Sequence, residues 1–182
     1  MTTGHDAGSS GELTTPGRPA SWRVVGVESF EELAEEFARR VARIAWCTVA
    51  AVGPDGAPRT RVLHPIWEGP VGWIATSRAG LKARHLAYEP RVALTYWDPE
   101  QEAASVQATA TWVDDLVTRA RIWDLFRTTP APLGYDPASF WPGGWSDPRF
   151  ALLRLDPTMI EVTTMATLSG PGSGGEPGTV PN

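Results

Sequence analysis

Lys82 is the only lysine in the chain; the rest of its sixteen Lys and Arg residues are arginines. It lies close behind the pair Thr76-Ser77, within a stretch from Arg59 to Val92 that concentrates basic residues. Hydroxyls, the freed N–H groups of a helix start and a cation brought to one point would form a receptor for an anionic phosphate. A lysine there offers a compact point charge, whereas an arginine offers a planar fork. The residues alone leave a second reading open. The arginine richness could be compositional, with Lys82 an ordinary solvated helix residue.

The elements that must hold these groups follow from pattern. Arg59 to His64 reads as strand, Gly72 to Ser77 as a second strand, 79 to 88 as a short helix, and Arg91 to Trp97 as a further strand stopped by Asp98-Pro99. In this reading Lys82 sits one turn into the helix. Arg59 and Arg61, two apart, share one face of their strand, and Thr60, Val62 and His64 share the other. Upstream, Trp46 to Val52 is a strand. Gly53-Pro-Asp-Gly56 turns the chain into a second strand from Ala57 to Trp67, which Pro65 interrupts.

Before this hairpin, Ser29-Phe-Glu-Glu32 fits a capping box. Phe30, Leu33, Phe37, Val41 and Ile44 follow at helical spacing, with Glu31, Glu35, Glu36, Arg39, Arg40 and Arg43 as a solvated face. Downstream, Ala104 to Val113 is a strand with Val106, Ala108, Ala110 and Trp112 on one face. Its threonine face is left open between solvent, a dimer interface and a cofactor wall. Asp114 is the expected N-cap of a helix from Asp115 to about Arg127, with Leu116, Ala120, Trp123 and Phe126 inward. Residues 128–149 combine prolines and glycines with Tyr135, Phe140, Trp141 and Trp145. They read as an ordered loop held down by its aromatics, or one that covers a planar ligand. A last strand, about Ala151 to Met165, carries a break at Asp156-Pro157.

The stretch resembles the flavin-binding half of the pyridoxamine 5′-phosphate oxidase-like family, the FMN-binding split barrels. The matching residues are Arg61-Val-Leu63, Trp73-Ile-Ala-Thr-Ser77, Lys82, Leu86 and Pro90-Arg-Val-Ala-Leu94. The resemblance covers about residues 40 to 115 and more loosely the rest to about 165. It implies a mainly β fold, a split barrel with flanking helices, assembled as a homodimer with the site at the subunit interface. It also implies that Arg61, Thr76, Ser77 and Lys82 hold the phosphate or ribityl chain. The backbone around Val62, Leu63 and Ala75 would then lie along the isoalloxazine ring. The chain departs from the vitamin B6 oxidases in several places. His64-Pro65-Ile66-Trp67 and Leu81 stand where those enzymes carry Lys and Arg, Ala103 and Ala104 fall near their flavin-contacting Gln, and no Arg-x-His signature occurs in 151–167. The resemblance is therefore closer to the general-stress and deazaflavin-type branches. FMN is the first cofactor implied and the 5-deazaflavin coenzyme the second, serving an oxidoreductase of unspecified substrate. A binding module without turnover, or a haem protein using His64 or His85 as axial ligand, are the rivals.

Composition narrows the classes. A net charge of −5 argues against general nucleic-acid binding. The single cysteine, Cys47, rules out an intrachain disulfide and lies in an apolar run, as a buried thiol does. No zinc spacing, nucleophile elbow or phosphate-loop motif is present. With neither a signal-peptide pattern nor an apolar run near ~20 residues, no membrane partner is expected and a cytoplasmic location is. The organisation expected is a loose N-terminal tail at 1–21, one domain over 22–167, and a flexible Gly- and Pro-rich tail over 168–182.

Overall fold

The structure, a computed structural model, describes residues 25–26, 29–164 and 178–181. Its elements in chain order are β1 (Val25–Gly26), α1 (Glu31–Arg43), β2 (Cys47–Val52), β3 (Pro58–Leu63), β4 (Ile66–Glu68), β5 (Val71–Thr76), α2 (Leu81–Tyr88), β6 (Arg91–Trp97), β7 (Glu102–Val113), α3 (Leu116–Thr128), β8 (Ala151–Thr164) and β9 (Gly178–Pro181). The sheet runs β1-β9-β8-β7-β6-β2-β3, with β5 also on β8 and β4 on β5. All pairings are antiparallel except β1 with β9. The sheet curls without closing: among the described residues β3 pairs only with β2, and β4 only with β5. This is the mainly β, split-barrel architecture expected. The expected tails lie outside the described residues, except for Gly178–Pro181, which pairs with β8.

Alternation of side chains makes the interior. Cys47, Val49 and Ala51 of β2, Val92, Leu94 and Tyr96 of β6, and Ala104, Val106, Ala108 and Ala110 of β7 all point inward. Leu33, Phe37 and Val41 of α1 complete this core. Phe37 is 1% exposed and meets the Trp67 ring edge-on at 5.0 Å; burying such a side chain contributes about 2–3 kcal/mol. Cys47 is buried as expected. Burial raises its thiol pKa to about 12, against a hydrogen bond from Tyr96, whose hydroxyl in turn accepts from Trp67 Nε1 at 2.9 Å.

β5 and the first half of β8 are buried on both faces. Ile74, Leu153 and Leu155 enter the first core, while Trp73 and Leu152 enter a second, made with Ile122, Trp123 and Phe126 of α3. The segment 128–149 is ordered, with short 3-10 turns at Pro137–Ser139 and Gly144–Ser146. Tyr135 and Trp141 pack on the second core, so its aromatics do hold it down.

Several local expectations need correction. The capping box forms only in part. The Ser29 backbone N–H donates to Glu32 at 3.2 Å, but the Ser29 side chain bonds Glu31, and Phe30 stands at the N-cap. Arg40 is buried, 7% exposed, because its guanidinium donates to the Ala103 carbonyl at 2.7 Å, the Thr163 carbonyl and Glu36. Arg39 and Arg43 of that face reach Asp98, Glu100 and Glu102, while Glu31 and Glu35 are exposed as expected. The N-cap of α3 is Asp115, which accepts from Thr118 N at 2.7 Å; Asp114 pairs with Arg78 instead. Leu116 lies in the first turn and is 57% exposed, while Ile122 takes the inward place. The expected break at Asp156-Pro157 is a bulge in a continuous β8: Ala108 pairs with Pro157 and Gln107 with Met159, leaving Thr158 unmatched.

Candidate functional site

β2 and β3 set the geometry. The register places Arg61 opposite Val49 and Leu63 opposite Cys47, so both point toward the barrel interior. Val62, opposite Thr48, points outward and is 64% exposed. Across the opening, β5 ends at Thr76, and Gly80, at φ 94°, turns the chain into α2. That positive φ is one glycine adopts without a side-chain clash. α2 therefore begins beside the end of β5, and Lys82, its second residue, reaches back to Thr76. It lies in the first helical turn rather than one turn in.

Lys82 Nζ donates to Thr76 Oγ1, and Ser77 Oγ accepts from Ala79 N at 3.1 Å. Thr76 is buried and Lys82 half-buried. Burial first, and Arg61 second, push the Lys82 ammonium down to about 8. Arg61 and Lys82 together line the mouth of a cavity whose walls include Leu63, Val49, Ile74 and Leu86; the space between protein atoms, open solvent included, is about 310 Å³. The sequence-derived site therefore comes together in part. Arg61, Leu63, Thr76 and Lys82 converge, with Ser77 adjacent. Val62 lies on the outer face, and the Ala75 side chain points to the second core under α3.

The charge balance is distinctive. Among the described residues every arginine lies within ion-pair distance of a carboxylate except Arg61, Arg84 and Arg119, and Lys82 likewise has none. Arg119 is satisfied by the Trp145 and Phe150 carbonyls at 3.0 and 2.9 Å. Arg61 and Lys82 are left together, lining one cavity, while Arg84, two residues on from Lys82 in α2, is exposed on the other side of the helix. His85 lies beside the Arg61–Lys82 pair, 2% exposed and held below its usual pKa by burial and then by Arg61 and Arg59, with Asp55 opposing. His85 was not anticipated as part of this cluster. The signal was present in the Lys82-Ala-Arg-His85 run, but which of its members faces the opening is set by the helix phase relative to β2 and β3.

Such a cluster can receive a small anion of high charge density. No group of three or more His, Cys, Asp or Glu side chains able to hold a metal ion occurs among the described residues. Nor is any helix among them long and apolar enough to cross a membrane.

A family model described as pyridoxamine 5′-phosphate oxidase matches residues 33–164. No curated protein matches the chain significantly. Among solved structures, a protein from Clostridium acetobutylicum related to general stress protein 26 is similar at 16% identity, with TM-score 0.61, covering 74% of this chain and 89% of its own. A pyridoxamine 5′-phosphate oxidase-related, FMN-binding protein from Nostoc punctiforme matches at 17% identity and TM-score 0.53, over 76% of this chain and 85% of its own. An F420 reductase matches at 23% identity and TM-score 0.52, over 68% of this chain and 94% of its own. At these identities the structures establish a shared fold.

Proposed function

The chain belongs to the pyridoxamine 5′-phosphate oxidase family, and from that premise and the site geometry we propose that it is a flavin-dependent oxidoreductase. The observation that carries this reading is the pair of cations without carboxylate partners, Arg61 and Lys82, lining one cavity, with Thr76 bonded to Lys82 and Ser77 next to it. Unbalanced cations half-withdrawn from water are electrostatically unfavourable unless an anion completes them. A phosphomonoester or phosphodiester has the charge and the acceptor oxygens to do so.

A bound flavin or 5-deazaflavin would supply hydride chemistry that side chains do not perform well. The protein's part is positional. Lys82 and Arg61 fix the phosphate, Ser77 and Thr76 offer hydroxyls to it, and the β3 backbone at Val62 and Leu63 offers an extended edge for a planar ring. FMN is the first candidate, since a structural relative is described as FMN-binding; the 5-deazaflavin coenzyme is the second, since another is described as an F420 reductase. The outer face of β3 and β6 exposes Val62 and Trp97 at 64 and 59%. That supports a homodimer in which the second copy covers this face and the adjoining ring site.

Absorption and thermal-melting titrations of the purified protein with FMN and with the 5-deazaflavin coenzyme test the reading. A near-equimolar flavin band, or a clear rise in melting temperature with one of them, is the expected result. Binding of neither at tens of micromolar would remove the proposal. Oxidation of reduced nicotinamide by the loaded protein, with an added electron acceptor, separates an enzyme from a binding module.

A further inference from the structure

His64 directly follows Leu63 on the strand that carries Arg61, yet its side chain takes no part in the phosphate cluster. It is 8% exposed. Its ring contacts Trp46, at 4.9 Å and 51°, and Tyr135, at 5.1 Å and 38°. Tyr135 belongs to the aromatic loop and is itself fixed by Phe126 at 5.1 Å and Phe140 at 5.9 Å.

The ring nitrogens differ. One hydrogen-bonds the Leu133 backbone in the sense that raises the imidazole pKa, as an N–H donating to a carbonyl does, while burial, the larger effect, lowers it. Nε2 is buried and has no partner, so the bond to Leu133 runs through Nδ1. In the neutral ring one nitrogen then donates and the other carries a lone pair. Nε2 is thus a fixed, buried acceptor awaiting a donor, an arrangement that costs free energy as it stands. The two flanking rings are not alike. Tyr135 is braced by Phe126 and Phe140, whereas Trp46, just before β2, keeps more than half its surface in solvent.

The geometry points to a ligand subsite at the end of β3 in which a planar, uncharged molecule bearing an O–H or N–H donor displaces Trp46 from the His64 ring, stacks there and donates to Nε2. This rests on the coenzyme reading only for its place beside the β3 ring edge. It narrows the substrate class to aromatic or conjugated compounds with a donor group.

The test compares 2-naphthol with 2-methoxynaphthalene by calorimetric titration of the full chain, with and without FMN. The wild type is expected to prefer 2-naphthol by about tenfold, the scale of one hydrogen bond. His64→Phe, which keeps a stacking ring, should bring the two probes to near parity without changing FMN affinity. Trp46→Ala should keep the preference, since it removes the displaced ring and spares the acceptor. Independently of variant folding, the ¹⁵N resonance of His64 Nε2 should move toward hydrogen-bonded values with 2-naphthol and stay put with the ether. A preference that survives His64→Phe, an unmoved Nε2 resonance, or binding of neither probe overturns the subsite. Failure to bind FMN overturns the coenzyme reading alone, because the naphthol comparison is read without FMN as well.

Discussion

Lys82 Nζ and Thr76 Oγ1 are hydrogen-bonded across the junction between β5 and α2, beside Arg61 on the facing strand. The bond joins a helix start to a strand end and leaves two cations at the same opening. Its protonation has opposite consequences for folding and for ligand binding. Burial and Arg61 hold the Lys82 pKa at about 8 in the folded chain, below the ~10.4 of an unfolded lysine. Between those values the unfolded chain binds more protons, so this group makes the protein more stable as pH rises from about 8 to about 10.4. Phosphate binding requires the charged form and so weakens over the same rise. Coenzyme affinity should be highest below about pH 8 and fall above it. Lys82→Arg should flatten the profile, and Lys82→Ala should weaken binding by about 1.5–3 kcal/mol at pH 7. Coenzyme titrations at pH 7 and 9 read all of these; a wild-type affinity indifferent to pH would remove Lys82 from the site.

Arg40 and Glu36 anchor α1 to the end of the β7–β8 ladder. Arg40→Ala leaves the Ala103 and Thr163 carbonyls without their donor and should cost about 1–3 kcal/mol in chemical denaturation. Hydrogen bonding from Arg39, with burial opposing and Arg40 adding, lowers the Glu36 carboxyl to about 2. A carboxylate so depressed stabilises the fold above ~4.3 and loses that contribution as pH falls toward about 2. Glu36→Gln should therefore reduce the loss of urea midpoint between pH 5 and pH 3. An unchanged acid profile would mean that the Glu36 carboxylate contributes nothing to holding α1.

Gly134 admits no side chain. A Cβ there would lie 1.8 Å from the Thr129 carbonyl oxygen and 2.9 Å from that of Phe126. Both are backbone atoms at the end of α3, so relief requires moving the loop. Gly134→Ala is expected to destabilise by about 3 kcal/mol or more, which lowers the melting temperature by roughly 6–12 °C in a chain of this size. A variant that melts with the wild type would show that the loop rearranges freely.

Cys47 should be unreactive while the protein is folded. It is 2% exposed, and its thiol is held near 12, far above the range that yields thiolate at neutral pH. A thiol reagent should label it only at the rate of unfolding. Rapid stoichiometric labelling in native buffer would contradict the packing of β2 against Tyr96.

Much of this was legible in the chain because alternation and turn chemistry are local. The inward faces of β2, β6 and β7, the Gly53-Pro-Asp-Gly56 turn and the interruption at Pro65 follow from residues within a few positions of one another. The approach of Lys82 to Thr76 was legible from a strand end followed closely by a helix start; that Arg61 joins them was legible only through a family pattern. What escaped is non-local. Arg40, three residues after Phe37, falls on the apolar arc of α1 where Arg39 does not, but the partners that let a charge be buried there are two carbonyls more than sixty residues away. Asp115 displaces Asp114 as the cap because Arg78, from the β5–α2 turn, occupies Asp114. The surroundings of His64 depend on Tyr135 and Leu133, which the folding of the aromatic loop brings to the end of β3.

β8 pairs with β7 along nearly its whole length, with β5 over Ala151–Leu155 and with β9 over Met159–Val162. Order of synthesis gives this arrangement a further meaning. A nascent chain that has cleared the ribosome only as far as α3 has β5 and β7 without the strand that joins them, and both core clusters lack their β8 members. Folding of the barrel must therefore wait for emergence of Ala151–Thr164. Until then, Trp73, Ile74 and the inward face of β7 are the surfaces a chaperone would meet first.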